Sequence, residues 1–260
     1  TERLCGRGGS GRGVGQFTDP AGDAQVPKGG MDCAHAGRIC LHVATLLAIP
    51  DSATGRRVSG RPQDYGGGVF QIRIHGRGGQ GVVTAAELLS VAAFRGGHHA
   101  QAFPSFGSER TGAPVVSYCR LDDRPIRSRE PVVVPDALIV QDATLLHQVD
   151  VFAGLPPSGY VLINAGVEVE ELGLGGFLAD HDPARVITVP ATQIAMRHLG
   201  RPLPNVVLLG GFAGLTGQVE LVDVEAAAAE RFRGAVLEGN RAAAREAFDV
   251  VLARKEGVDA

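Results

Sequence analysis

Residues 69–95 constrain this chain more than any other stretch. VFQIRIH (69–75) alternates apolar and polar side chains, the period-two pattern of a strand. GRGGQG (76–81) follows at once, and VVTAAELLSVAAFR (82–95) then places apolar residues at helical spacing until Gly96 and Gly97 stop it. HHAQAF (98–103) returns to an extended pattern. Together these segments predict a βαβ opening of ordinary length for such units.

The alternation continues. Strands are predicted at 114–120 (PVVSYCR), 137–141 (ALIVQ), 160–164 (YVLIN) and 185–189 (RVITV), several of them β-branched runs of the buried kind. Helices are predicted over 145–152, 193–199, 206–215, 224–233 and 238–254. Strands interleaved with helices imply an α/β fold: three α/β/α layers around a mainly parallel sheet with a Rossmann-like opening. The last helix is amphipathic and is expected to pack over one face or edge of that sheet.

The expected domain runs over 69–260. Residues 1–68 read differently, with nine glycines before Met31, interspersed arginines and no regular period. They are expected to be a disordered or mis-called extension. Its apolar run ICLHVATLLAI (39–49) is too short to span a bilayer as a helix, which needs about 20 residues. Cys5, Cys33, Cys40 and Cys119 form no C-x-x-C pair, so neither a zinc ribbon nor a ferredoxin-type cluster is expected here. No bound metal is expected. So few scattered cysteines suit a reducing compartment, and the expected location is the cytoplasm. With a net charge of −3, the chain does not read as a nucleic-acid binder. No membrane partner is expected either.

Gly76, Gly78 and Gly81 satisfy G-x-G-x-x-G between a strand and a helix, the context a dinucleotide site requires. Glycines let backbone approach a pyrophosphate, and the N–H groups and dipole of the following helix attract its charge. The motif therefore admits a stand-alone nicotinamide- or flavin-dependent oxidoreductase. Against that reading, the ribose-binding acid expected after the second strand is missing, and PSFGS stands there instead. Glycines at such a turn can also serve tight helix-on-sheet packing alone.

FPSFGSERTGAPV (103–115) is the second concentrated feature, and its Ser108, Glu109 and Arg110 could bind a polar ligand or a partner, or form a solvated surface. Between Arg73 and Arg129 there are eight arginines against four acids, which suits a phosphorylated ligand or an acidic partner. No G-x-S-x-G elbow, H-E-x-x-H pair or Walker A lysine occurs, so nucleophilic, zinc and NTPase chemistry have no foothold and no catalytic residue is expected in this chain.

HGRGGQGVVTAAELLSVAAFRGG, AQAFPSFGSERTGAPVVSYCRLDDRPIRSR and ALIVQDATLL resemble the gamma component of 2-oxoacid:ferredoxin oxidoreductases, most closely the pyruvate type. The resemblance covers roughly 69–254. It implies a subunit, inactive alone, of an enzyme that converts pyruvate, coenzyme A and oxidised ferredoxin to acetyl-CoA, carbon dioxide and reduced ferredoxin. Its implied partners are the alpha, beta and delta subunits, with ferredoxin as acceptor. Thiamine diphosphate is implied between alpha and beta, and iron–sulfur clusters in delta and beta. For this chain it implies docking and help in forming the coenzyme A site. Gly76, Arg77, Gly78, Gly79, Gln80 and Gly81, with Ser108, Glu109 and Arg110, are the candidates to face that cofactor or the adjoining interface. A purely structural subunit, touching no cofactor, is the other role such a chain could have.

Overall fold

A computed structural model describes residues 68–105 and 111–258. The expected disorder of the N-terminal extension and the Ser108, Glu109 and Arg110 site fall outside the described residues. The domain opens with β1 (Phe70–Arg77), α1 (Val82–Arg95) and β2 (His99–Pro104), followed by β3 (Pro114–Asp122) and β4 (Ala137–Val140). Next come β5 (Tyr160–Asn164), the short α2 (Gly175–Leu178) and β6 (Val186–Val189). Four helices close it: α3 (Ala191–Leu199), α4 (Asn205–Thr216), α5 (Leu221–Arg231) and α6 (Gly234–Val258).

The six strands lie in the order β2-β3-β1-β4-β5-β6. β1, β4, β5 and β6 run parallel, while β3 is antiparallel to both β1 and β2. The sheet is thus mixed and mostly parallel, flanked by helices as the α/β/α reading requires. The βαβ opening is present, with one difference. β2 runs parallel to β1 but is not its neighbour, because β3 fills the slot between them. The short connection after β2 can only return antiparallel, and its return strand occupies the space that the α1 crossover leaves open.

The two faces of β1 differ in chemistry. Phe70, Ile72 and Ile74 join the larger core, which α1, α3, α4, α5 and α6 cover. Gln71, Arg73 and His75 point the other way. Beyond them, on β4, β5 and β6, Leu138, Val140, Val161, Ile163 and Val186 form a second core under short helical turns and loops. Alternation along β1 therefore marks two buried faces, one apolar and one polar. The predicted helix at 145–152 is instead a 3₁₀ turn, Ala143–His147, and Gly154, Pro156 and Pro157 keep the chain after it from helix.

Every residue of α4 is buried. A helix apolar all round belongs inside a layer, and α4 lies between the sheet and α6. A Cβ on Gly211 would meet Leu162 of β5 at 3.3 Å, whereas one on Gly210 would overlap the backbone carbonyl of Ala244 in α6. The last helix consequently packs chiefly on α4 rather than directly on the sheet. It reaches the sheet at β6, where Arg254 donates to Thr188 and pairs with both carboxylate oxygens of Glu168 at 2.7 and 2.8 Å.

Gly210→Ala and Gly211→Ala gain the same helix propensity, about 1 kcal/mol. Only the first drives a methyl into backbone that cannot yield. Gly210→Ala is expected to lower stability by about 1–3 kcal/mol net, and Gly211→Ala to be close to neutral. Urea denaturation of the two variants against the parent checks the contrast.

Candidate functional site

The glycine turn leaves the C-terminal end of β1, the strand from which the chain departs to either side of the sheet. Open α/β sheets bind ligands at such a switch point. β4 lies beside it, and the Gln141 N–H donates to the His75 carbonyl at 2.7 Å, extending the pairing to the root of the turn.

Two physical demands explain the glycines. A Cβ on Gly76 would come within 2.6 Å of Val82 and 3.1 Å of Gln141, so only a bare backbone lets α1 start this close to the sheet. Gly79 and Gly81 have φ of 98° and 73°, the left-handed region that other residues enter at a cost of about 1–2 kcal/mol. Gly81 precedes α1 without any side-chain cap, and a Cβ there would come within 2.5 Å of the Asn205 amide at the start of α4, whereas one on Gly79 would meet nothing.

Arg77 and Gln80 reach instead across the sheet to Asp142, at the end of β4. Arg77 Nε donates to Asp142 Oδ2 at 3.0 Å, and its Nη atoms donate to the Gly112 carbonyl, Thr144 Oγ1 and Gln148 Oε1. Gln80 Nε2 donates to the same Asp142 oxygen at 2.9 Å, while its Oε1 accepts the Arg77 N–H at 2.8 Å. Burial alone would raise the Asp142 carboxyl; hydrogen bonds from Thr144 and Gln80, with the Arg77 charge, hold it below the ordinary carboxylate range. Gly78 is fastened on its flank, donating to Ala113 at 2.9 Å and accepting from Gly112 at 3.1 Å. These residues directly follow the Ser108, Glu109 and Arg110 segment in the chain.

The arginine concentration of the sequence disperses in space. β3 pairs antiparallel with β1, Arg77 opposite Pro114 and Phe70 opposite Leu121. Arg120, Arg124, Arg127 and Arg129 therefore lie toward the far end of the sheet, about 20 Å away at 3.3 Å per residue. Arg73 is buried on the polar face of β1, where it donates to the carbonyls of Val151 and Ala153 at 2.8 and 2.7 Å. Arg120 is buried too, over the Phe103 ring and donating to Gln71. Arg95 pairs with Glu230 at 3.0 Å.

Other cations stand beside the turn, and motif reasoning missed them. A groove of about 610 Å³ opens along Gly79 and Gly81, lined by His198, Arg201, Arg231, Asn205, Phe232 and Val236 among others. No carboxylate lines it. His198 is held by Glu246, its Nε2 at 2.6 Å from Oε2, and Arg231 lies 3.6 Å from Glu87. Arg201 has no ion-pair partner among the described residues. Its position follows the C-terminal stop of α3 at Gly200, a signal that marks a loop but not which loop faces the turn.

The dinucleotide alternative loses its geometry here. A ribose-binding acid must end the parallel strand next to β1. The second strand, β2, which would have to carry it, is kept from β1 by antiparallel β3, whose beginning, Pro114, sits opposite Arg77. What the fold and crevice define is an open α/β domain with a glycine turn at its switch point and a cationic groove alongside. The family model for pyruvate ferredoxin/flavodoxin oxidoreductase matches residues 71–250. The chain belongs to this family.

Its relatives place it among the gamma-type subunits. Pyruvate synthase subunit PorC of Methanosarcina barkeri is 52% identical over 155 residues, 60% of this chain and 82% of the relative. The common gamma subunit of the pyruvate/ketoisovalerate oxidoreductases of Thermococcus kodakarensis is 46% identical over 181 residues, 70% and 96% of the two chains. The crystal structure of the pyruvate oxidoreductase subunit PORC (EC 1.2.7.1) of Thermotoga maritima matches with a TM-score of 0.60 at 33% identity. It covers 70% of this chain and 96% of that one. The resemblance to a gamma subunit of the pyruvate type holds. No helix among the described residues is long and apolar enough to cross a membrane.

One buried group beneath the turn gives the site a pH signature. His75 precedes Gly76, its Nε2 has no hydrogen-bond partner, and burial and then the Arg73 charge push its pKa from 6.5 down to about 4. Below pH 6.5 the unfolded chain binds a proton there that the folded one refuses, so stability declines as the pH falls toward 4. Across that window the parent is expected to lose up to about 3 kcal/mol more than His75→Gln. Urea titrations of both at pH 7, 5.5 and 4.5 measure the difference, and parallel losses would remove His75 as the cause.

Proposed function

We propose that this chain works as the gamma subunit within a complex that converts pyruvate, coenzyme A and oxidised ferredoxin to acetyl-CoA, carbon dioxide and reduced ferredoxin. Its own part is to receive coenzyme A along the glycine turn. Thiamine diphosphate and the iron–sulfur clusters belong, in this reading, to alpha, beta and delta partners in the cytoplasm. The name of the Thermococcus relative, a gamma subunit common to pyruvate and ketoisovalerate enzymes, agrees with 2-oxoacid choice lying in other chains.

The groove carries the reading. Coenzyme A brings a pyrophosphate and a 3′-phosphate, and these suit a carboxylate-free surface with Arg201, Arg231 and His198 beside an uncapped helix start. Phe232 and Val236 offer apolar contact to the rest of the molecule. The turn supplies its Gly79 and Gly81 side, since Arg77 and Gln80 are spent on Asp142. Ser108, Glu109 and Arg110 remain proposed members of the same site through the family resemblance. At the far end of the sheet Val133 and Val134 are 72% and 55% exposed, which suits a subunit contact there.

In the assembled complex, Arg201→Ala is expected to raise the KM for coenzyme A roughly tenfold while leaving the KM for pyruvate and kcat in place. Coenzyme A lacking its 3′-phosphate should discriminate less between variant and parent. An unchanged KM for coenzyme A in an intact complex, for Arg201→Ala and Arg231→Ala alike, would reduce the chain to a structural subunit.

A further inference from the structure

We infer that Asp142 is a positioning residue: from the end of β4, acting through Arg77 and Gln80, it sets the backbone of the glycine turn and so the face offered to the cofactor. This rests on the coenzyme A reading above.

The turn does little to fix itself. Within it the Gln80 N–H donates to the Arg77 carbonyl at 3.0 Å, and Gly79 has open space on its outer side. Left-handed glycines widen the range of backbone states such a segment can visit. Besides the bonds of Gly78 to Gly112 and Ala113, the restraint comes from across the sheet. Both Asp142 oxygens are used: Oδ2 accepts from Arg77 and Gln80, and Oδ1 accepts from the Thr144 N–H at 3.0 Å and its hydroxyl at 2.6 Å.

Arg77 extends the same anchor to Gly112 at 3.1 Å, Thr144 at 2.6 Å and Gln148 at 2.9 Å. Three connections that are distant in sequence thus meet at the Arg77–Asp142 pair: those after β1, before β3 and after β4. The Asp142 and Arg77 side chains are only 17% and 22% exposed, which limits the screening that weakens surface pairs.

The arrangement has a chemical consequence. A free Arg77 would draw a phosphate to the β4 side of the turn. With Arg77 paired to Asp142, the uncompensated charge lies on the Gly79 and Gly81 side, where Arg201 has no ion-pair partner among the described residues. The carboxylate so contributes to affinity without touching the cofactor, by orienting backbone and by choosing which face is positive. Misplacement of a binding segment by about 1 Å can cost up to a hundredfold.

The test uses the assembled complex with Asp142→Asn, Arg77→Gln and the double variant. Each single change is expected to raise the KM for coenzyme A about tenfold with kcat within about twofold, and the double to be no worse than the worse single. Hydrogen exchange of the backbone amides at 78–82 should quicken in all three. Thr144→Ala, which keeps the charge pair, serves if Asp142→Asn fails to assemble, with an expected rise of about threefold. Unchanged KM and exchange in assembled variants would overturn the inference. If Arg201→Ala raises the KM while the Asp142 variants do not, positioning fails and the coenzyme A reading stands. If exchange quickens but no variant, Arg201→Ala included, alters the KM, the coenzyme A reading fails and this inference falls with it.

Discussion

The structure depends on how closely α1 can start against the end of β1. β1 is hydrogen-bonded on both sides, to β3 and to β4, so the chain leaving it has no lateral freedom and must turn over the sheet edge. The 2.6 Å that would separate a Gly76 Cβ from Val82 shows how little space the turn has. Any larger residue would lift the helix off Ile72 and Ile74, and with it the covering of the main core. The same constraint leaves the helix start uncapped and its N–H groups turned toward whatever occupies the crevice.

Charge is distributed around that point by burial rather than by sequence proximity. Arg73 and Arg120 hold the polar face of the sheet by bonding loop carbonyls, Arg77 is neutralised by Asp142, and the groove takes its cations from the α3–α4 link and from α5. A buried guanidinium is tolerable only where its donors are satisfied. Arg73 meets that demand at its Nη atoms, with carbonyls of Val132, Val151 and Ala153, while its Nε has no hydrogen-bond partner. The arginines therefore divide between fastening the sheet's polar face and presenting positive charge to solvent, and their distance along the chain from the glycine motif does not separate the two groups.

A subunit role fits this division of labour. The core of the domain is devoted to carrying one turn and one groove, with α4 buried so that α6 can pack behind it. The nearest polar groups to the turn serve geometry and charge, which is what a chain contributing a wall to a shared site needs. In this reading bond making and electron transfer are left to partner chains.

Most of the strand, turn and helix order is legible in the chain; the exceptions are the expected helix at 145–152 and the short α2, which carries no periodic signal. The periodicities of VFQIRIH and VVTAAELLSVAAFR, the buried runs ALIV and VLI and the glycine stops are local physics, as legible in the chain as in the fold. The chain also carries the motifs by which the family is known. That β3 lies between β1 and β2 emerges on folding, since strand order is set by which edges remain free after the α1 crossover. Folding likewise sets which arginines stand near the turn, because antiparallel pairing sends Arg120 to Arg129 to the opposite end while loop packing brings Arg201 and Arg231 close. Asp142 could not be singled out beforehand. Its partner lies 65 residues away in the chain, and such a pair is created by the register of two parallel strands rather than by any local pattern.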